Sequence, residues 1–174
     1  VTVTDANNCP ATTTVTIGQP PALELDLSPV DVKCFGESSG SAKAVPSGGT
    51  PPYTYLWWSN GQQTNEIEGL PAGTFGLSVV DANGCQILDS VAIQQPSSPV
   101  GGTSEKMDPR CFGGRDGEIN IMASGGTPPY RYTLDDRPFN GSPKQISIGA
   151  GTYTPKVMDK NGCEVELTPI VVDQ

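Results

Sequence analysis

The sequence predicts an all-β protein, a tandem array of immunoglobulin-like β-sandwich repeats of about 77 residues, each with one disulfide. Three observations predict it. The string Gly-Gly-Thr-Pro-Pro-Tyr occurs at Gly48–Tyr53 and again at Gly125–Tyr130, an offset of 77 (125 − 48). Cys-Phe-Gly returns at Cys34–Gly36 and Cys111–Gly113, and Asn-Gly-Cys at Asn83–Cys85 and Asn161–Cys163. Between these landmarks apolar residues alternate with polar ones at period two, and helical periodicity is absent. The 21 glycines and 17 prolines fall at matching places between the alternating segments, as turns do, rather than being scattered as in a disordered chain.

The elements follow in order. Val1-Thr-Val-Thr-Asp5-Ala-Asn-Asn-Cys9 aligns with Leu77–Cys85, and Gly18-Gln19-Pro20 with Gln94-Gln95-Pro96. Residues 1–20 are therefore expected to be the C-terminal part of a preceding repeat, 21–97 a full repeat and 98–174 a second, the whole a fragment of a longer protein. Gln19-Pro20-Pro21 and Gln95-Pro96-Ser-Ser-Pro99 read as short, stiff linkers that favour an extended rod. Leu23, Leu25 and Leu27 begin the first strand. In the second repeat Ile119 and Ile121 alternate with Glu118, Asn120 and Met122. The Gly-Gly-Thr-Pro-Pro-Tyr turn follows, its prolines unable to donate to a ladder. Tyr130, Tyr132 and Leu134, then Tyr153, Pro155 and Val157, alternate again, and Cys163, Val165 and Leu167 start the closing strand. Tyr53, Tyr55 and Trp57, then Phe75, Leu77 and Val79, then Cys85 and Ile87, repeat this order in the first copy. About seven short strands per repeat result, with Asp159-Lys160-Asn161-Gly162 expected to close a hairpin through a type I′ Asn-Gly turn.

Two differences between the copies bear on the core. Ile119 and Ile121 become Ala42 and Ala44, while Leu134 becomes Trp57, a loss and a gain of volume that balance if both positions line one core. Tyr153 is placed for a tyrosine corner, its hydroxyl bonded back to the chain, and Phe75 stands there in the first copy.

Each full repeat has one cysteine near its start and one near its end, so the expected bridges are Cys34–Cys85 and Cys111–Cys163. Each would close a loop of about 50 residues and add up to about 4 kcal/mol by the chain-entropy account, which matters for so small a domain and requires an oxidising compartment. Cys9 corresponds to Cys85 and Cys163, so its partner is expected upstream; a free reactive thiol is the alternative.

Several function classes are excluded or weakened. A formal charge of −9 with no basic stripe argues against a nucleic-acid partner. There is no apolar run of 18 residues and no signal peptide. With no histidine, neither a Ser-His-Asp nor a Cys-His arrangement can be built, and the chain is expected not to be an enzyme. No cofactor is expected apart from calcium, for which Asp81, Asn83, Asp159 and Asn161 are weak ligand candidates. Their spacing resembles the opening of a calcium loop, but no bidentate glutamate follows and the turn already accounts for Asn-Gly. Asp31, Glu37, Asp108 and Asp116 are alternative ligands between repeats. Trp58, one residue out of phase with inward Trp57, is expected to face outward as a ligand contact for a sugar ring, or as a cover for a neighbouring strand or domain. Asp89-Ser90-Val91 makes Ser90 a candidate for O-glycosylation, and Asn140-Gly141-Ser142 is formally an N-glycosylation acceptor.

Taken in order, Cys-Phe-Gly, Gly-Gly-Thr-Pro-Pro-Tyr-x-Tyr, the Gly-x-Tyr/Phe strand and Asp-x-Asn-Gly-Cys resemble the SprB-type repeats of very large surface adhesins of gliding Bacteroidota. The resemblance covers both full repeats and the opening segment. It implies export to the cell surface by the type IX secretion system, residence in an outer-membrane-associated filament, and a role in adhesion or gliding motility. Thr133-Leu134-Asp135, where Trp is usual, and Pro155 depart from the pattern. The resulting expectation is a structural stalk segment whose partners are adjacent repeats of the same chain, with surface polysaccharide, neighbouring filaments and the gliding and secretion machinery as further partners. The alternatives are a carbohydrate-binding module array on a secreted polysaccharide-degrading enzyme and a laterally associating surface filament.

Overall fold

A computed structural model describes residues 1–138 and 143–174, all as strands, turns and loops without a helix. An N-terminal hairpin pairs β1 (Thr2–Thr4) with β2 (Pro10–Thr12). The first full repeat holds β3 (Glu24–Val30), β4 (Gly40–Ser47), β5 (Thr54–Trp57), β6 (Glu66–Leu70), β7 (Gly73–Val80) and β8 (Gln86–Ile93). The second holds β9 (Gly101–Met107), β10 (Gly117–Ser124), β11 (Arg131–Leu134), β12 (Arg137–Pro138), β13 (Lys144–Ile148), β14 (Gly151–Tyr153), β15 (Pro155–Met158), β16 (Glu164–Glu166) and β17 (Ile170–Val172).

In the first repeat the sheets are β3-β4-β6 and β5-β7-β8, all antiparallel. In immunoglobulin lettering this is A-B-E packed on C-F-G, the constant-type sandwich without its D strand. The first repeat thus has six strands rather than about seven. After β5 the chain turns through Gly61 N–H to Trp57 O (2.8 Å) and Trp57 N–H to Gln62 O (2.9 Å), then crosses directly to β6. In the second repeat β9-β10-β13 and β12-β11-β15-β16 take the same places, and β14-β17 forms a separate pair. The division between β14 and β15 falls at Thr154, just before Pro155, which has no N–H for the ladder.

Alternation along these strands builds two cores. Ala42, Ala44, Trp57, Ile67, Leu77 and Val79 lie in the first; Ile119, Ile121, Leu134, Val157 and Val172 lie in the second. Trp57 is fully enclosed, its Nε1–H donating to Thr64 O (2.9 Å), and it shares its core with Ala42 and Ala44 where the second core holds Leu134 with Ile119 and Ile121. The volume exchange read from the sequence is therefore a core exchange.

The Gly-Gly-Thr-Pro-Pro-Tyr turns are alike in both copies. Gly48, Gly49, Gly125 and Gly126 have φ near +60°, and Pro51–Pro52 and Pro128–Pro129 are cis. A Cβ on Gly48 would collide with Ala22 O, so only glycine fits where the turn passes the incoming chain. The tyrosine closes the turn: Tyr53 OH donates to Gly48 O and Tyr130 OH to Gly125 O, both at 2.6 Å. Tyr153 OH donates to Gly149 O (2.9 Å), the expected tyrosine corner.

Candidate functional site

The residues that carry the repeated motifs gather at the two ends of each sandwich. At the leading end, where the chain arrives, the β7–β8 hairpin turns through Asp81–Cys85. Asp81 N–H donates to Cys85 O (2.9 Å), Gly84 N–H to Asp81 O (3.0 Å), and Gly84 alone has positive φ (83°). This is a three-residue loop, a type I turn followed by a left-handed glycine, and not the two-residue type I′ turn expected from Asn-Gly. Gly162 repeats it (φ 87°), and Asn8 (φ 65°) takes the glycine's place in the N-terminal hairpin.

The aspartate clamps this loop. Asp81 Oδ1 accepts the amides of Asn83 (2.9 Å) and Cys85 (2.8 Å), while Oδ2 accepts that of Thr50 (2.9 Å). Asp159 does the same with Asn161 (2.8 Å), Cys163 (2.9 Å) and Thr127 (2.8 Å). Burial opposes ionisation of Asp81, but the amide donors of Cys85, Thr50 and Asn83 outweigh it and hold its pKa below the ordinary carboxylate value. Through Thr50 and Thr127 the hairpins are tied to the proline turns. Those turns are tied in turn to the incoming chain, by Gly49 N–H to Pro21 O (2.9 Å) and Gly126 N–H to Ser98 O (3.0 Å).

At the trailing end lies the loop between the first two strands of each repeat, residues 31–39 and 108–116. It is bonded to the departing chain. Gln94 N–H donates to Asp31 Oδ1 (2.8 Å), Gly36 N–H to Gln95 Oε1 (2.8 Å) and Val32 N–H to Gln94 O (2.8 Å). Asp173 N–H donates to Asp108 Oδ1 (2.9 Å) in the second repeat, where Lys106 Nζ bridges Asp173 (2.7 Å) and Asp108 (3.0 Å).

The trailing loop of the first repeat meets the leading hairpin of the second. Cys34 and Cys163 are joined by a disulfide with Cα atoms 5.6 Å apart. Beside it Asn161 Nδ2 donates to Lys33 O (2.9 Å), and Cys163 Sγ lies 3.4 Å from the same oxygen. Cys9, Cys85 and Cys111 are free and exposed. The expected pairs Cys34–Cys85 and Cys111–Cys163, one within each repeat, are corrected: the one disulfide among the described residues joins two repeats. The reason is strand direction. Cys34 follows the outward run of β3 and Cys85 precedes the outward run of β8, so they stand at opposite ends of the sandwich. Seven residues of β3 alone span roughly 23 Å, against the ~7 Å Cα separation a disulfide tolerates.

Residues 27–63 and 103–139 match the family model of the SprB repeat, each match running from the first strand through the trailing-loop cysteine and the proline turn. The chain thus carries two segments similar to the SprB repeat. No curated protein matches the chain. SprB repeats fit a repeat region of the cell-surface adhesin type.

The remaining candidates take these places in the two repeats. The carboxylates of Asp81 and Asp159 are spent on backbone amides, and Asn83 Nδ2 and Asn161 Nδ2 donate to Thr50 Oγ1 (2.8 Å) and Thr127 Oγ1 (3.2 Å). These four side chains clamp the turns. Asp31 and Asp108 hold the departing chain, and Asp116 accepts from Arg110 N–H (3.2 Å). Among the described residues no group of three or more Cys, Asp or Glu side chains is placed to hold a metal ion. Trp58 faces outward, as parity predicts, with its indole lying on Gly76, where a Cβ would come within 2.7 Å of Cζ3. In the second repeat this pair is Asp135 and Thr154, whose N–H donates to Asp135 Oδ1 (2.8 Å). Ser90 is exposed on β8 opposite Gly76. Asn140, Gly141 and Ser142 lie outside the described residues. No helix among the described residues is long and apolar enough to cross a membrane.

Sequence reasoning missed the tyrosine bonds of the proline turn and the Asn161–Lys33 contact. The first was signalled by a tyrosine at fixed distance from a paired glycine in both copies. The second had no signal, because it joins residues 128 positions apart.

Proposed function

We propose that the chain is a load-bearing spacer segment of a large extracellular adhesin filament, exported by a type IX route and serving attachment or gliding motility. In this reading its work is mechanical, with neither catalysis nor a cofactor. Its primary partners are neighbouring repeats; surface polysaccharide, adjacent filaments and the secretion and gliding machinery act elsewhere along the filament. Nucleic acid has no part.

The observation that supports this reading is the Cys34–Cys163 bridge across the joint. Tension applied at the two ends of the chain runs from residue 1 to Cys34, crosses the disulfide, and continues from Cys163 to residue 174. The 129 positions between the cysteines are bypassed. Apart from β3, β16 and β17, which lie on that path, the strands of both sandwiches can unfold without lengthening it, because the covalent shortcut carries the force.

Pulling single chains by their termini tests this. Reduction is expected to lengthen the fully stretched chain by about 450 Å, from 129 positions at ~3.5 Å each. Equal stretched lengths before and after reduction would remove the support for a load-bearing spacer.

A further inference from the structure

The joint uses one trailing-loop cysteine and one leading-hairpin cysteine, yet each repeat carries one of each. Cys111 occupies in the second repeat the place of joined Cys34, and Cys85 occupies in the first the place of joined Cys163. Both are exposed thiols. Their surroundings match the halves of the existing joint. The Cys85 hairpin has the Asp81 clamp and an Asn83 amide placed as Asn161 is, and the Cys111 loop is fastened to the departing chain through Asp108 as the Cys34 loop is through Asp31. An independent sign is apolar. Phe35, next to the joined cysteine, is 43% exposed, whereas its counterpart Phe112, next to the unjoined one, is 94% exposed. The phenylalanine beside the joined cysteine is thus partly covered, and the one beside the unjoined cysteine is not.

We infer that Cys111 and Cys85 are the two halves of further joints of the same kind, each taking another such repeat end to end. The trailing-loop cysteine of one repeat bonds the leading-hairpin cysteine of the next, so that in an array every neighbouring pair is covalently stapled. A second copy of this chain supplies the missing half for each: its Cys85 hairpin docks on the Cys111 loop, Asn83 Nδ2 donates to Arg110 O as Asn161 donates to Lys33 O, and Phe112 is covered. Closing the bond takes a disulfide oxidant such as oxidised glutathione. The two thiols give up two protons and two electrons, and the oxidant leaves as two molecules of reduced glutathione. The inference rests on the joint alone, not on where the protein resides or what it adheres to.

The test uses the full chain carrying Cys9→Ser, so that one trailing-loop and one hairpin thiol remain. Equal amounts of isotopically light and heavy chain, with Cys34–Cys163 formed, are concentrated in a glutathione redox buffer, and cross-links between light and heavy chains are counted by peptide mass spectrometry. Cys111–Cys85 links are expected to exceed Cys111–Cys111 and Cys85–Cys85 links by roughly tenfold, equivalent to ~1.4 kcal/mol of orienting contact. Asn83→Ala is expected to reduce that excess several-fold while leaving Cys34–Cys163 intact. Links in statistical proportion, or no interchain links at all, would overturn the inference. Failure here with the stretched-length change still present would leave the spacer reading standing and limit the staple to the one observed joint.

Discussion

Replacing Trp57 by leucine removes about six side-chain heavy atoms from the first core, and replacing Ala42 and Ala44 by isoleucine adds about six. The second repeat holds that combination natively as Leu134, Ile119 and Ile121, and all six positions are enclosed. Trp57→Leu alone should cost about 2–4 kcal/mol, from the cavity and from Thr64 O left without its indole donor. Ala42→Ile and Ala44→Ile alone should each cost about 1–3 kcal/mol by overpacking that core. Combined, the changes should cost less than about 1.5 kcal/mol, because the volume is restored. Both tryptophans of the chain lie in the first repeat, so emission during guanidinium unfolding reports on that repeat, and Trp58 remains as the probe when Trp57 is replaced. A triple variant whose loss equals the sum of the single losses would show that the positions do not share one core, and would refute the packing argument.

Other perturbations read different parts of the structure. Gly76→Thr should lift the Trp58 indole off β7, shifting emission to longer wavelength at a cost of about 1 kcal/mol, and Trp58→Asp in the same chain should recover stability, since Asp135 and Thr154 make that pair natively; unchanged emission would contradict the stacking. Tyr153→Phe should cost about 1 kcal/mol in the second repeat through loss of the bond to Gly149 O, measured by circular dichroism on urea unfolding, and a neutral result would remove the corner's role. The pKa of Asp81 is lower folded than unfolded, so its contribution is full above the unfolded value and is lost as pH falls through the folded one. Asp81→Asn should therefore weaken the first repeat at neutral pH and flatten its stability between about pH 5 and pH 3, as followed by tryptophan emission.

The core was legible because period-two alternation and conserved volume are local, additive constraints. Trp57 inward, Trp58 outward, and the exchange of Ala42, Ala44 and Trp57 for Ile119, Ile121 and Leu134 follow from parity and size alone. The hairpin type was misread because Asn-Gly suits two loop lengths. What selects the longer one is the Asp81 carboxylate gathering three amides, and a hydrogen-bond acceptor leaves no periodic trace. Repeat spacing points to the wrong cysteine partner because it pairs motifs by repeat and carries no information about which end of the sandwich each occupies. Counting β5 and β6 as one traverse puts Cys34 and Cys85 at opposite ends, and the only cysteine at the right end for Cys34 belongs to the following repeat.

The covalent joint is the centre of this account, and peptide mapping of the oxidised, monomeric chain under non-reducing conditions tests it most directly. The account predicts a linked pair of peptides containing Cys34 and Cys163, with Cys85 and Cys111 recovered as thiols. Recovery of Cys34 linked to Cys85, together with Cys111 linked to Cys163, would contradict it.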